Sequence, residues 1–500
     1  MCIFLTIYWV TERKHINMKQ ILLLLLTCLP IFAEAQIKEY NLTNIELNPS
    51  DNFGSSVTVS ENFVAVGAIG LDNNTGGVLM YRGSGDSWSL HSTLIPSDAK
   101  EDDYFGMDVA MSSEVLVVGA PTDHWVDDET GKAYVYELED DRWVETSILQ
   151  PEDSYYQSAF GFIVNVHEDQ VMIGAPDYDQ SKGALCIYEK SGGEWQKAHE
   201  IINNDWWLSS FGCAFDMNDN WMAIGGYHTN FDSLELGNRL TVQMYEKIGS
   251  VWEERQVINY ERQSLPYQIP AYSIELSDDQ LLIGNHRASS SENIDGESKV
   301  FHLIGDQWQE VQNLLPNGFE TFEMGRQLAI GERYAIINSS KFPNASADEP
   351  HHILIYNTEN KNNWTLIADF QYEGSQSLNW QGFNVDVNNS YGVASSHHHA
   401  SDHGDVYIYD LRRFVNNQDI IEDEQVDVFP IPATSELSIE VKEVLIDEWL
   451  IFNSVGQVML KGKAQNSNSE QLNISQLVAG SYWLKIKTDK GHLYRKIIKL

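Results

Sequence analysis

Hydrophobic and polar positions alternate with a period of two along most of this chain, and the alternation returns in a larger unit of about 55 residues. Each unit opens with an aromatic–glycine pair or a degenerate form of it. An alternating segment, a polar turn, an apolar run ending in glycine, and two further alternating segments follow. This pattern, rich in β-branched and aromatic residues, predicts four short strands per unit and no helices of useful length. Seven units begin at Asp51, Asp103, Ser158, Ser209, Ala271, Glu323 and Trp380.

Tryptophans give an independent measure of the repeat, because they recur at intervals of 52 to 57 residues in the fourth segment of six units. Four-stranded units repeated in this way predict the blades of a β-propeller. The seventh unit ends at residues 405–414 without a tryptophan strand, whereas residues 39–54 contain an orphan strand that resembles the ends of other units. We therefore predict that the N-terminal strand is the outer edge of the last blade. The six tryptophans are Trp88, Trp143, Trp195, Trp252, Trp308 and Trp364.

The residues that mark each unit have a structural interpretation. Glycine next to the inner strand lets neighbouring sheets approach closely, and phenylalanine fills the space between them. Pro121 and Pro176 are predicted to end their strands, because proline cannot donate a hydrogen bond to a ladder.

The composition changes after the seventh unit. Residues 416–425 are polar and acidic and are predicted to be a linker. Residues 426–500 hold short strand patterns with turn signals, which predict a small β-sandwich. The expected fold class is thus all-β, with a seven-bladed β-propeller over residues 36–415 followed by a small C-terminal β-sandwich.

The beginning of the chain has the features of a secretory signal. Met18-Lys19 precedes an apolar run over residues 21–32 and the small-x-small sequence Ala33-Glu34-Ala35. The run is too short for a spanning helix, which needs roughly 20 residues. Residues 1–35 are predicted to be a signal peptide, with Met18 as an alternative start. We expect no membrane insertion after its removal.

Cysteine and charge narrow the class of protein further. The predicted mature chain keeps Cys186 and Cys213, which we interpret as two buried thiols, a single disulfide bridge being the alternative. The net charge is −41, with +1 in residues 1–35, +1 in residues 426–500 and therefore −43 between them. A field of that sign argues against binding to nucleic acid or to anionic membrane surfaces.

The repeat resembles the FG-GAP family, the propeller of integrin α-chain heads and of many bacterial surface proteins. The resemblance covers roughly residues 36–415, is specific in units one to four, and is degenerate where Phe-Gly becomes Tyr272-Ser273, Met324-Gly325 and Gln381-Gly382. Some members of the family bind calcium through a DxDxDG-type loop. The equivalent turns here are too short to supply the six to eight oxygens that calcium takes. No cofactor is therefore predicted, and integrin-type calcium binding is not carried over.

The C-terminal module closely resembles the sorting domain of the bacterial type IX secretion system. The matching residues are Phe429-Pro430-x-Pro432-Ala433, Gly456-Gln457, Leu477-x-x-Gly480-x-Tyr482 and the basic end over residues 495–500, with Ile431 at a position where the family commonly has Asn. The resemblance implies that residues 426–500 contact the type IX machinery. It also implies a protein that is secreted or held at the outer-membrane cell surface.

No motif of the easily recognised enzyme classes occurs in the chain. The best candidate metal ligands are histidines in a loop of the seventh unit, although consecutive residues alternate in direction and at most two of the triple would face one ion. A second candidate set comprises acidic residues in loops of units two and three, for calcium or a cationic partner. In both cases a solvated loop is the favoured interpretation. The histidine set is His397, His398, His399 and His403 with Asp402, and His351 and His352 lie one unit earlier; the acidic set is Asp123, Asp127, Asp128, Glu129, Asp177 and Asp179.

Trp206-Trp207 is a further candidate, for stacking on a sugar, although packing between blades is favoured. The resulting hypothesis is a recognition or adhesion module without catalysis, whose loops bind an extracellular protein or glycan. One alternative is a secreted polysaccharide hydrolase or lyase, which carboxylates converging with a basic residue near the propeller axis would favour. The other alternative is a structural spacer.

Overall fold

The computed structural model describes residues 37–42, 47–85, 87–122, 130–151, 158–205, 208–228, 239–260, 273–285, 289–290, 293–294, 296–314, 322–341, 351–372, 384–396, 404–412, 426–430, 433–441, 445–452, 458–488 and 491–499. The predicted signal peptide and linker lie outside these residues. Two compact units are present, one over Ile37–Val415 and a second that includes Asn416–Leu500.

The described part of the first unit forms seven four-stranded antiparallel sheets, which we number as blades 1 to 7 in chain order. The strands of blades 1 to 3 are β2 (Phe53–Val59), β3 (Phe63–Ala68), β4 (Gly77–Ser84) and β5 (Ser87–Leu94); β6 (Val109–Met111), β7 (Val115–Ala120), β8 (Lys132–Glu139) and β9 (Arg142–Leu149); and β10 (Val164–His167), β11 (Gln170–Ala175), β12 (Ala184–Ser191) and β13 (Glu194–Ile202).

Blades 4 to 7 repeat this order. A short pair, β20 (Ser289–Ser290) and β21 (Asn293–Ile294), lies between the second and third strands of blade 5. Their strands are β14 (Leu208–Met217), β15 (Trp221–His228), β16 (Arg239–Ile248) and β17 (Val251–Tyr260); β18 (Ile274–Ser277), β19 (Gln280–Asn285), β22 (Glu297–Ile304) and β23 (Gln307–Leu314); β24 (Phe322–Ile330), β25 (Tyr334–Lys341), β26 (His351–Asn357) and β27 (Thr365–Tyr372); and β28 (Asn384–Val387), β29 (Tyr391–Ser396) and β30 (Asp405–Asp410) with β1 (Lys38–Asn41).

The sheets form a closed ring. The first and second strands of each blade contact the first strand of the next blade, and β28 and β29 of blade 7 return in this way to β2 of blade 1. The first strands therefore surround the axis. Strand β1 pairs with β30 as the outermost strand of blade 7, with Lys38 opposite Asp410 and Asn41 opposite Tyr407. The predicted closure of the ring by the N-terminal strand is confirmed.

Close approach of blades depends on glycine at two repeated positions. A Cβ on Gly119, at the end of an apolar run, would collide with the backbone carbonyl of Gly161, which follows Phe160 in the next blade. Gly161 itself has a φ of +88°, a conformation that favours glycine. Strands β7 and β11 end one residue before Pro121 and Pro176. The predicted roles of these glycines and prolines are confirmed.

The aromatic landmarks pack between blades. Phe105 is fully buried among apolar residues of blades 1 and 2, and its ring lies 5.2 Å from that of Tyr134 in a T-shaped contact. The tryptophans near the start of the fourth strands pack against the preceding blade. The ring centres of Trp143 and Phe63 lie 5.6 Å apart, and those of Trp308 and Trp221 lie at the same distance. The core thus consists of apolar layers between neighbouring sheets.

The second unit contains two sheets that face each other across a buried apolar cluster with residues such as Leu437, Ile439, Ile451 and Leu484. This arrangement agrees with the predicted β-sandwich. One sheet has the order β31 (Val426–Phe429), β32 (Glu436–Val441) and β35 (Ser469–Asn473); the other has β34 (Val458–Ser467), β33 (Ile446–Phe452), β36 (Gly480–Thr488) and β37 (Gly491–Lys499).

Two smaller features complete the description. Both cysteines are free thiols as predicted; Cys186 is buried, whereas Cys213 is only half-buried, so the predicted burial is wrong for Cys213. Cys213 follows the inner Gly212 of blade 4, where the strand is still close to the axis. A short 3-10 turn covers Pro49–Asp51. Within the described residues, no helix is long and apolar enough to span a bilayer.

Candidate functional site

Four carboxylates converge on the propeller axis, each from the first strand of a different blade or the residue just before it. Asp108 belongs to blade 2, Asp216 to blade 4, Glu275 to blade 5 and Asp386 to blade 7. All four approach one another closely enough for mutual repulsion, because the charges of Asp108, Asp216 and Asp386 all act on Glu275. No sequence pattern predicted this cluster.

Three of these carboxylates join neighbouring blades in the same way. One oxygen accepts the backbone N–H of the following residue, and the other accepts a backbone N–H from the inner strand of the next blade. For Asp108 the second donor is Val164 at 2.8 Å, and for Asp216 it is Leu276 at 2.6 Å. Inner strands of adjacent blades form no ladder with each other, so such an N–H group needs a side-chain acceptor. Asp386 closes the ring by accepting from Val59 at 2.8 Å.

Burial and mutual repulsion change the acidity of the axial cluster. Burial raises the pKa of Asp108 to about 7, although the N–H groups of Val164 and Val109 counteract the effect. Burial also raises the pKa of Asp386 and of Asp216. The pKa of Glu275 is raised well above its ordinary range, first by burial and then by the charges of Asp216 and Asp386. Glu275 is thus the member of the cluster that most readily keeps a proton.

A second cluster lies on two hairpins of neighbouring blades. His167 is the last residue of β10, Glu168 follows it in the turn to β11, and Asp219 lies in the turn between β14 and β15. Their ligand atoms lie within 4.8 Å of one another, and His167 Nε2 is 3.0 Å from Asp219 Oδ1. A metal ion would have to displace that hydrogen bond, and both carboxylates are exposed. We therefore interpret the cluster as a His–Asp pair between blades. His167 opposes the rise that burial causes in the pKa of Asp216, which places an imidazole near the axial carboxylates.

The structure locates only part of the predicted site set. His397, His399, His403, Asp123 and Asp127 lie outside the described residues. The same holds for His398, Asp402, Asp128, Glu129, Trp206 and Trp207.

Asp177 and Asp179 lie together in the loop between β11 and β12, around a turn over Tyr178–Ser181. Asp179 forms an ion pair of 2.5 Å with Lys182, and Asp177 accepts a hydrogen bond of 3.2 Å from Ser181 Oγ. These partners belong to the same loop, and the ammonium group of Lys182 disfavours a cation beside Asp179. His352, one blade before the predicted histidine loop, is buried with Nδ1 2.7 Å from Asp369.

The first-to-second-strand turns, where some FG-GAP proteins hold calcium, are tight in this chain. Ser112 N–H donates to the carbonyl of Val115 at 2.8 Å, and Asn218 N–H donates to that of Trp221 at 2.8 Å. The side-chain oxygen of Asn218 accepts from the backbone of Asn220 and Trp221. These turns do not fit a calcium ion, which needs six to eight converging oxygens.

Loops on the opposite face are held in fixed conformations. Asp72, Asn73 and Asn74 all have positive φ in the turn over Leu71–Asn74. The side chain of Asn74 donates to Asp102 at 2.9 Å, in the segment that enters blade 2. Phe105 N–H then donates to the carbonyl of Thr75. Such loops present side chains on a pre-organised surface.

Comparisons with known proteins agree with this architecture. Residues 38–80 and 88–136 match the FG-GAP repeat model, and residues 427–500 match the secretion system C-terminal sorting domain. Mouse integrin alpha-11 is 30% identical over 131 residues, which cover 23% of this chain and 11% of that protein. Human integrin alpha-11 is 28% identical over 174 residues, which cover 30% of this chain and 14% of that protein. The aligned region thus spans only a small fraction of either relative.

These findings confirm the two resemblances. The chain carries FG-GAP repeats and a type IX sorting domain, and it is a secreted or outer-membrane cell-surface protein. The sorting domain implies an interaction with the type IX secretion system.

Proposed function

We propose that the propeller is a non-catalytic recognition module that binds an extracellular protein or glycan. The observation that supports this proposal best is the use of the axial aspartates. Asp108, Asp216 and Asp386 each bind two backbone N–H groups and link two blades, so the charged groups at the axis serve the ring. The FG-GAP repeats and the likeness to integrin alpha-11 support the same proposal.

Polysaccharide hydrolysis or elimination is the second candidate, and one observation favours it. Glu275 carries a raised pKa beside Asp216, and two carboxyl groups with separated pKa values are the usual acid–base pair of glycoside chemistry. His167 near Asp216 adds a basic group. The axial cluster therefore meets part of the sequence-based criterion for an enzyme. Against it, Asp216 is held by Met217, Leu276 and Asn165 and has little freedom to act on a substrate.

The test is a binding and turnover screen of the full chain, purified without its signal, against extracellular glycans and surface proteins. Each sample is run with calcium and with chelator. Saturable binding without product supports the recognition module, and chelator sensitivity would direct attention to the acidic loops. Shortened glycans that disappear with Glu275→Gln would establish the enzyme instead. Neither binding nor product would leave the propeller as a spacer and overturn the proposal.

A further inference from the structure

A groove of about 530 Å³ opens at the rim of the propeller between blades 3 and 4. Its walls are the segment that follows β13 and the outward part of β16 and β17. The volume lies within the range of small-molecule sites, roughly 300–1,000 Å³. The groove is remote in the fold from the axial carboxylates, which lie on the inner strands.

Polar residues line the groove at strand positions where blade 3 has a packed apolar face. Thr241, Gln243 and Tyr245 alternate on β16 and line the groove. By strand register the equivalent residues of blade 3 are Ala184, Cys186 and Tyr188, which are packed in an apolar cluster against blade 2. In blade 2 a tyrosine, Tyr134, stands in place of Gln243 and is fully buried against blade 1. In blade 4 the same face is lined by Thr241 and Gln243, and the space beside it stays open.

The groove carries hydrogen-bonding groups of both kinds. Thr241 Oγ1 donates to Asn259 Oδ1 at 3.0 Å, and the Tyr245 hydroxyl donates to Gln243 Oε1 at 2.9 Å. Because the oxygens of both amides already accept hydrogen bonds, their NH₂ groups remain as donors toward a ligand. Glu254, opposite Tyr245 in the ladder, is exposed and supplies acceptors.

Apolar surface lies among these polar groups. Val257, opposite Gln243 in the ladder, is 41% exposed, and Ile202 at the end of β13 lines the groove from the blade 3 side. Adjacent hydroxyl groups of a sugar donate and accept together, and its C–H faces pack on apolar side chains. The charge of −43 over residues 36–425 and the carboxylate of Glu254 disfavour an anionic sugar.

We infer that this groove binds a neutral glycan through Gln243, Asn259 and Glu254. The inference rests on the proposed recognition function and gives it a site and a ligand class. It assigns recognition to the cleft between blades 3 and 4, where residues 203–205 of the inter-blade connection form one wall.

The test uses the full chain and a panel of neutral gluco-, manno-, xylo-, galacto- and chito-oligosaccharides, measured by isothermal titration calorimetry. Gln243→Tyr fills the groove with the side chain that blade 2 accommodates as Tyr134. We expect at least tenfold weaker binding, and Asn259→Ala should weaken binding about fivefold to tenfold, since the ligand loses a hydrogen-bond donor. Gln371→Ala is the matched control, because Gln371 pairs with His352 in blade 6 as Asn259 pairs with Thr241.

Thermal melting of each variant shows whether the propeller stays folded. Binding of a neutral oligosaccharide that is lost in Gln243→Tyr and kept in Gln371→Ala supports the inference. Equal binding by Gln243→Tyr and the unsubstituted protein overturns it while the recognition function stands. A protein or basic peptide that binds in the groove when no neutral oligosaccharide does overturns the ligand class. If neither a glycan nor a protein binds in the broader screen, the proposed recognition function itself is rejected.

Discussion

The carboxylate of Asp386 accepts a hydrogen bond of 2.8 Å from the backbone N–H of Val59, a residue 327 positions earlier in the chain. The same oxygen accepts from Thr58 Oγ1 at 2.8 Å, so one side chain of blade 7 holds two groups of blade 1. Asp108 and Asp216 link blades 2 to 3 and 4 to 5 in the same way. Axial acidity in this propeller is therefore part of the mechanism that holds the ring together.

Removing the Asp386 side chain should destabilise the propeller. Asp386→Ala leaves the Val59 N–H and the Thr58 hydroxyl without their acceptor, and we expect a loss of ~2–4 kcal/mol in the free energy of unfolding. Urea unfolding followed by tryptophan fluorescence measures it. Asp306→Ala, at an exposed hairpin position, is the control. Equal midpoints for the two variants would show that the blade 7 to blade 1 link contributes nothing.

The raised pKa of Asp108 predicts a stability that falls as the pH rises. A carboxyl group whose pKa is about 7 when folded and near 4 when unfolded binds more protons in the folded state between those pH values. The free energy of unfolding should thus decline from pH 4 to pH 7 and level off above. We expect a lower Tm at pH 8 than at pH 5. Each kcal/mol lost from the free energy of unfolding should lower the Tm by ~2–4 °C, and the Tm difference between the two pH values should be smaller in Asp108→Asn.

Carboxylates with lowered pKa do not cancel this trend. Asp98 hydrogen-bonds to Lys132 and Tyr134, and these partners hold its pKa below the usual value against the opposing effect of burial. Its contribution is lost only as the pH falls through the acid range below about 4. A Tm that rises steadily from pH 5 to pH 8 would contradict the assignment for Asp108.

Neutralising Glu275 should stabilise the ring at alkaline pH. Glu275→Gln removes one of four mutually repelling groups, and its raised pKa means that little charge is present to remove at pH 5. We expect a Tm increase of a few degrees at pH 8 and almost none at pH 5, measured by scanning calorimetry. Binding of the extracellular ligand should not change. A Tm that is unaltered at both pH values would show that repulsion among the axial carboxylates does not lower the stability of the ring.

A glutamine on each of two outer strands binds the backbone of a tryptophan in the following blade. Gln312 donates to the carbonyl of Trp364 at 3.1 Å and accepts from its N–H at 2.7 Å. Gln312→Ala should lower the free energy of unfolding by ~1–3 kcal/mol because both backbone groups lose their partner. Gln309→Ala, on the same strand and exposed, provides the comparison in urea titrations. Matching titration curves would assign the Gln312 pair no role in stability.

Closure by the N-terminal strand can be weakened at one backbone group. The Leu42 N–H donates to the carbonyl of Val406 at 2.8 Å. Leu42→Pro removes this donor, and we expect a loss of ~3 kcal/mol or more together with earlier proteolysis at the blade 7 edge. Limited proteolysis with mass spectrometry measures the effect, and Lys38→Ala at the exposed end of β1 is the control. Protection identical to the control would place closure elsewhere in blade 7.

The sequence alone determines the seven repeats and the four strands of each. It also determines that the N-terminal strand of the propeller joins the last blade. Local alternation determines where strands form, and the recurrence of Phe-Gly, Gly-Ala-Pro and tryptophan determines how strands group into sheets. These signals lie within about 55 residues of one another, so they can be read from the sequence without knowledge of the packing. The basic end and the Phe-Pro opening of the C-terminal module identify it for the same reason.

The axial carboxylates, the His167–Asp219 pair and the rim groove depend on the tertiary structure. Asp216 and Asp386 lie four residues after Gly212 and Gly382, whereas Asp108 lies two residues after Gly106, so no single spacing marks all three. Their common role arises only where the inner strands of different blades meet. The groove likewise depends on Thr241 and Gln243 facing a neighbouring blade, a contact that strand register and blade packing decide and that alternation along the chain cannot specify.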